Sequence, residues 1–100
     1  MKKLFLDDIR NPPDSGWDVV RSYDEFVSYI SLNGVPDFIS FDHDLGDAVP
    51  TGMDCAKWLV ETERLLPNFA VHSANPPGRI NIFSLLENWR IFCATTPKRA

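Results

Sequence analysis

Cysteine is scarce in these 100 residues. Cys55 and Cys93 are the only two, and they form neither a CxxC pair nor a zinc-ligand pattern. That excludes a disulfide-stapled scaffold and a zinc ribbon. It reads as a reduced, cytoplasmic protein whose thiols are small buried hydrophobes. Basic residues are outnumbered, with 10 Lys and Arg against 14 Asp and Glu, a formal net charge of −4. Coating of duplex nucleic acid needs many cations on phosphates, so that class is excluded, whereas one phosphorylated end held in a pocket is not. Long apolar runs are missing too. MKKLFL is cut off at Asp7, too early for a membrane span or the apolar stretch of a signal peptide. There is no internal repeat and no low-complexity tract, and histidine occurs only as His43 and His72.

What is present is an apolar fraction of 44%, enough for the core of one domain over residues 1–100. Lys3 to Leu6 is a short apolar run of the kind a buried central strand carries, and it ends in Asp7-Asp8. IRNPPDSG then holds two prolines and a glycine, which predicts a loop. Residues 17–21 read as an edge strand. Ser22 and Glu25 have the spacing of a capping box, and Phe26, Val27 and Ile30 recur at helical spacing until Gly34 and Pro36 stop the helix. A third strand is predicted over 37–41. A second helix starts after a cap at Thr51, carries Ala56, Leu59, Val60 and Leu66, and closes at Pro67. Phe69 to Val71 is a fourth strand ending in His72-Ser73. After the loop ANPPG, a last helix is predicted from near Arg79 through Ile82, Phe83, Leu86 and Trp89. The tail CATTPKRA reads either as a frayed end or as a short fifth strand.

This alternation predicts an α/β sandwich around a mostly parallel four-stranded sheet. In such sheets ligands sit beyond the carboxyl ends of the strands, where strand order reverses. FISFDHDLG, residues 38–46, then raises a question, because two carboxylates and an imidazole at a strand tip do nothing for a core. With strands one, three and four adjacent, Asp7-Asp8, Asp42-His43-Asp44 and His72-Ser73 converge on one edge. The strand tips are the predicted site.

An acidic pair after strand one, an Asp after strand three and a Ser after strand four resemble the response-regulator receiver pattern. LFLDDIRNPP, WDVVRSY, SFDHDLG, TGMDCAKWL and VHSANPPGR narrow this. Over roughly residues 3 to 92 they resemble the cyclic-phosphate processing receiver-like domains of bacteria and phages. The resemblance implies a small three-layer flavodoxin- or receiver-like sandwich, truncated relative to a full receiver. It implies Mg²⁺ or Mn²⁺ as cofactor, held by Asp7 and Asp8 with Asp42 as the acceptor-like Asp, and Ser73 as the hydroxyl that orients a phosphoryl group. The activity it implies is a metal-assisted phosphoesterase (a hydrolase) working on terminal 2′,3′-cyclic phosphates of RNA in repair or conflict. The chain departs from an ordinary receiver: a Pro-rich loop replaces the first helix, and no Lys-Pro follows a final strand, since Lys98 comes after Pro97.

The residues support that chemistry in part by themselves. Opening a strained cyclic diester needs an activated water, a proton for the departing ribose oxygen and positive charge near the phosphoryl oxygens. His43 and His72, both at predicted strand ends beside carboxylates, are candidates for base and acid, against the alternative that each caps local backbone. Asp7, Asp8, Asp42 and Asp44 are hard oxygen ligands, of which Mg²⁺ needs only one or two. Asp8 is the one that best fits a turn carboxylate, and Asp44 either joins the metal, orients His43 or caps the Leu45-Gly46 turn. Arg79 at a helix start, with the helix amides, makes an anion site. Asn75 is a donor beside it or a turn former. Arg10 and Arg21 are phosphate candidates or salt-bridge partners. Lys57 reads as surface, Thr51 as a cap before a ligand, and Trp17, Trp58 and Trp89 as packing residues. A second reading stands: a non-catalytic divergent receiver that binds a phosphate, a nucleotide or a protein.

Overall fold

In the computed structural model, which describes residues 1–95, four strands and three helices alternate. They are β1 (Lys3–Leu6), β2 (Asp18–Val20), α1 (Tyr23–Asn33), β3 (Phe38–Phe41), α2 (Gly52–Glu61), β4 (Asn68–Val71) and α3 (Pro76–Thr95). The sheet order is β2-β1-β3-β4, with every neighbouring pair parallel. The chain leaves β1 towards one edge and returns to its other side with β3. The order therefore reverses between β1 and β3, the place where open α/β sheets hold ligands.

Strand alternation divides the sheet into two unlike faces. Leu4, Leu6, Ile39 and Phe41 point to one face and are fully buried. They share one cluster with Phe26 and Ile30 of α1, Cys55, Ala56 and Leu59 of α2, and Ile82 and Leu86 of α3. Each such side chain contributes about 1.5–3 kcal/mol by leaving water, so this face carries most of the stability. All three helices pack here. Phe5 and Phe38 point the other way, where Trp17 meets both edge-on at centroid distances of 5.7 Å. The third layer of the expected sandwich is thus a loop, residues 7–17, because its prolines and glycine cannot continue a helix. Arg21 ties that loop down. Its guanidinium donates to the carbonyls of Asp7 and Arg10 and to Asn11 Oδ1. Arg21, read from the sequence as a phosphate candidate or salt-bridge partner, thus serves as a pin on the loop backbone.

The caps explain most element ends. Ser22 Oγ accepts from the Glu25 amide as expected, but the Glu25 carboxylate reaches the Arg21 amide, so the box closes one residue early. Thr51 and Asp54 form both arms of a capping box. Helix α2 stops at Glu61, before Leu66, and Glu63 takes a left-handed turn at φ 54°. Leu66 is nevertheless buried. Helix α3 begins at Pro76, earlier than predicted, because a first turn has no use for the amides that Pro76 and Pro77 lack. It runs on through Thr95, so Cys93 to Thr95 are helical and not a fifth strand. Residues 96–100, including Pro97 and Lys98, lie outside the described residues. No helix among the described residues is long and apolar enough to cross a membrane.

Candidate functional site

Leu6, Phe41 and Val71 stand side by side in the sheet. The next residues, Asp7, Asp42 and His72, are therefore in line. Each still donates its amide into the neighbouring strand, Asp7 to Val20 O at 3.2 Å, Asp42 to Leu6 O and His72 to Phe41 O at 2.9 Å. Because Leu6 and Phe41 face the helices, the following side chains turn to the loop face. One donor atom from each of Asp7, Asp42 and His72 falls within 4.8 Å of the others.

Asp7 is fully buried, and its two oxygens have different work. Oδ1 accepts from the amides of Ile9 and Arg10 at 3.0 and 2.8 Å, and Oδ2 faces His72 Nε2 at 3.0 Å and Arg10 Nε at 3.9 Å. Burial pushes the Asp7 carboxyl up, but the Arg10 and Ile9 amides and His72 outweigh it and hold it below the ordinary range. Asp42 goes the other way. It is only 6% exposed, and burial together with the Asp7 charge raises its pKa against the pull of the His43 amide, His72 and Arg10. Its Oδ1 accepts from the His43 amide at 2.9 Å, and no donor among the described residues meets Oδ2. Two carboxylates, one with an unclaimed oxygen, and an imidazole nitrogen fit a divalent cation by donor chemistry and spacing. Asp7, Asp42 and His72 would hold it. Asp8 and Asp44 stand outside this cluster, on the wall of the adjoining cavity.

That cavity is about 220 Å³ and is lined by Asp8, Ile9, Arg10, Asp42, Asp44, Ser73 and Ala74. Larger hollows exist, such as one of about 370 Å³ between Met1–Lys3 and Ser15–Asp18 at the opposite ends of the strands. None of the convergent carboxylates or histidines reaches that one, so the strand-tip cavity is the candidate.

The two histidines are in unlike situations. His43 lies on the helix side, its ring against Gly78, where an added Cβ would come within 2.4 Å of the imidazole Cγ. Its Nδ1 pairs with Asp44 Oδ1 at 2.9 Å, which draws the Asp44 carboxyl down, and its Nε2 meets no partner among the described residues. His72 lies on the loop side, stacked on Phe5 at 4.4 Å, with Nε2 towards Asp7 and Nδ1 2.7 Å from Ser40 Oγ. Both of its nitrogens are engaged inside the protein, which a free acid–base group would not be.

The α3 start differs from the expected anion site. Pro76 and Pro77 have no amide, Asn75 Oδ1 takes the Gly78 amide at 3.1 Å, and the Asn75 carbonyl takes the Arg79 amide at 2.9 Å. No free amide of that first turn is left for a phosphate. Asn75 is the helix cap, and its Nδ2 turns to Asp44 Oδ2 at 3.4 Å. Arg79 is exposed and does not line the cavity. Ser73 is buried at the cavity wall and accepts from the Asn75 amide, and its hydroxyl hydrogen meets no acceptor among the described residues. Sequence reasoning missed Ser40, although a lone hydroxyl in the apolar run Phe38-Ile39-Ser40-Phe41 was a usable signal. It also missed why Gly52 is needed: a Cβ there would lie 1.8 Å from the Asp42 carbonyl oxygen.

Over residues 2–88 the sequence matches the family described as the Cyclic-phosphate processing Receiver domain. No curated protein and no solved structure matches.

Proposed function

The chain belongs to the cyclic-phosphate processing receiver domain family, and from that premise we propose that it hydrolyses terminal 2′,3′-cyclic phosphates at its strand tips. The substrate is an RNA end or a free cyclic nucleotide. The observation that carries this reading is the in-register convergence of Asp7, Asp42 and His72 at the rim of the cavity lined by Arg10 and Ser73.

In the reaction a water oxygen bonds to phosphorus, one ribose oxygen–phosphorus bond breaks, the water loses a proton and the ribose oxygen gains one. Of the two histidines His43 has the nitrogen unengaged among the described residues, and we assign it the movement of that proton; it stands behind Asp44 of the cavity wall rather than lining the cavity itself. Asp44 accepts from Nδ1 and so favours the tautomer with Nε2 bare, ready to take a proton from water and return it to the leaving oxygen. Arg10 and the Ser73 hydroxyl stand where phosphoryl oxygens would enter. A divalent cation such as Mg²⁺ or Mn²⁺, when bound, supplies charge neutralisation at the buried carboxylates and polarises the phosphoryl group. Asp7 and Asp42 are its first candidate ligands.

The test is incubation with a 2′,3′-cyclic nucleotide and with an RNA carrying that end, with and without the cation. Turnover is expected, and His43→Ala is expected to lower its rate by about 10²–10⁴-fold with little change in melting temperature. Binding of the cyclic nucleotide without turnover would favour the non-catalytic module instead. Normal turnover by the His43 variant would remove the proton-transfer assignment.

A further inference from the structure

We propose that His72 is a metal ligand through Nε2, oriented by Ser40, and that the strand-tip site therefore selects a borderline divalent ion of the Mn²⁺-to-Zn²⁺ series over Mg²⁺. The inference deepens the proposed function and rests on it only for what the ion is used for.

The His72 ring is held on several sides. Phe5 stacks on it with an interplanar angle of 7°, its own amide is tied to Phe41 O, and Ser40 Oγ sits 2.7 Å from Nδ1. Nε2 is the one ring nitrogen that faces the carboxylates. It lies 3.0 Å from Asp7 Oδ2. Adjacent ligands on an ion with bonds of about 2.1 Å are separated by about 3 Å, so this pair is already at ligand spacing. Asp7 Oδ1 is tied to two amides, which leaves Oδ2 for the ion. Asp42, 6% exposed, contributes the oxygen that no donor among the described residues meets.

Ser40 is the outer partner of the His72 ring. It is 6% exposed in the middle of β3, with apolar Ile39 and Phe41 on either side. Among the described residues its hydroxyl has one side-chain partner, the His72 ring. A serine hydroxyl can donate to a bare Nδ1 or accept from a protonated one. It therefore suits the ring both before a metal arrives, when Nε2–H points at Asp7, and after, when Nε2 must give its lone pair and Nδ1 must carry the hydrogen. Metal-bound histidines usually rely on such an outer partner, whose loss weakens binding about 10–100-fold.

The donor set decides the ion class. Mg²⁺ prefers oxygen ligands and water, whereas imidazole nitrogen favours the later divalent ions along the Irving–Williams order. Two carboxylates alone would leave Mg²⁺ competitive. Adding His72 tilts the site away from it.

The experiment titrates the metal-free protein by calorimetry with MgCl₂, MnCl₂ and ZnCl₂, and follows His72 by ¹⁵N NMR during zinc addition. Mn²⁺ and Zn²⁺ are expected to bind at least about tenfold more tightly than Mg²⁺, with the His72 Nε2 resonance shifting and Nδ1 staying protonated. Ser40→Ala should weaken Mn²⁺ and Zn²⁺ binding about 10–100-fold, Ser40→Thr should restore it, and His72→Asn should erase the preference over Mg²⁺. Equal affinities for the three ions in the wild type, or an unmoved His72 resonance at saturation, overturns the proposal. Should Ser40→Ala fail to fold, the wild-type resonance decides alone. Tight Zn²⁺ binding without cyclic-phosphate turnover overturns the hydrolase reading and leaves this one standing. Turnover with Mg²⁺ and a silent His72 does the reverse.

Discussion

Asp7 and Asp42 are neighbours with opposite electrostatic fates, and the difference lies in what each oxygen touches. Two amides and His72 reward the ionised Asp7. Asp42 has one amide, deep burial and the Asp7 charge beside it, so its carboxyl titrates above the usual range while that of Asp7 titrates below it. The signs follow from linkage. Asp7 contributes stability that is present above the ordinary carboxylate value and lost as pH falls through its lowered folded value. Asp42 favours the fold while protonated, and that contribution is lost as pH rises through its raised folded value. In metal-free protein at neutral pH, Asp42→Asn is therefore expected to raise the melting temperature, and Asp7→Asn to lower it. The Asp42→Asn gain should vanish in acid, where the native carboxyl is protonated anyway. Thermal melts across the carboxylate range check this, and a melting temperature that falls with Asp42→Asn contradicts it.

At the level of elements, two glycines set how closely helices approach the β3 tip. Gly52 opens α2 against the Asp42 carbonyl and donates its amide to His43 O at 2.7 Å. Gly78 opens α3 against the His43 ring. In a free helix Gly→Ala stabilises by about 1 kcal/mol. At position 78 the new methyl would meet His43 Cγ at 2.4 Å, and overpacking of that kind costs about 1–3 kcal/mol. Gly78→Ala is thus expected to destabilise in urea denaturation, and to break the His43–Asp44 pair by pushing the ring aside. A variant as stable as wild type, with an unchanged His43 NMR signal, would show that the helix start yields instead.

For the whole molecule, the decisive feature is that one sheet face has helices and the other has a loop. Phe5 joins the loop to the site, since Trp17 meets it on one side and His72 stacks on the other. Trp17 also takes Lys3 Nζ 4.7 Å from its ring and packs on Phe38. Removing it uncovers that face. Trp17→Ala is expected to cost about 3 kcal/mol, a large share of the roughly 5–15 kcal/mol that holds a domain together. It should also loosen His72, which Trp17 reaches through Phe5. Equilibrium unfolding gives the first number, and the His72 resonance in folded protein gives the second.

Much of this was legible in the sequence because it is local. Apolar runs of strand length marked β1, β3 and β4. Ser22 and Thr51 marked helix starts, and the polar residues after each strand marked the site, since a carboxylate at a strand tip has no use in a core. The family resemblance was legible for the same reason, as its motifs lie at those tips. The α3 start was misplaced because prolines that break a helix interior are harmless in its first turn. The remaining features depend on register. Ser40 and His72 meet across 32 residues, and Asp7 and His72 across 65. No spacing in the chain announces either contact, because each exists only when β1, β3 and β4 lie in that order with Leu6, Phe41 and Val71 aligned. The sequence by itself determined which chemical groups would stand at the strand tips. Strand order and the alternation of side chains decided their roles, turning His72 and Asp42 to one face beside Asp7 and setting the His43 ring against Gly78, where it pairs with Asp44 of the cavity wall.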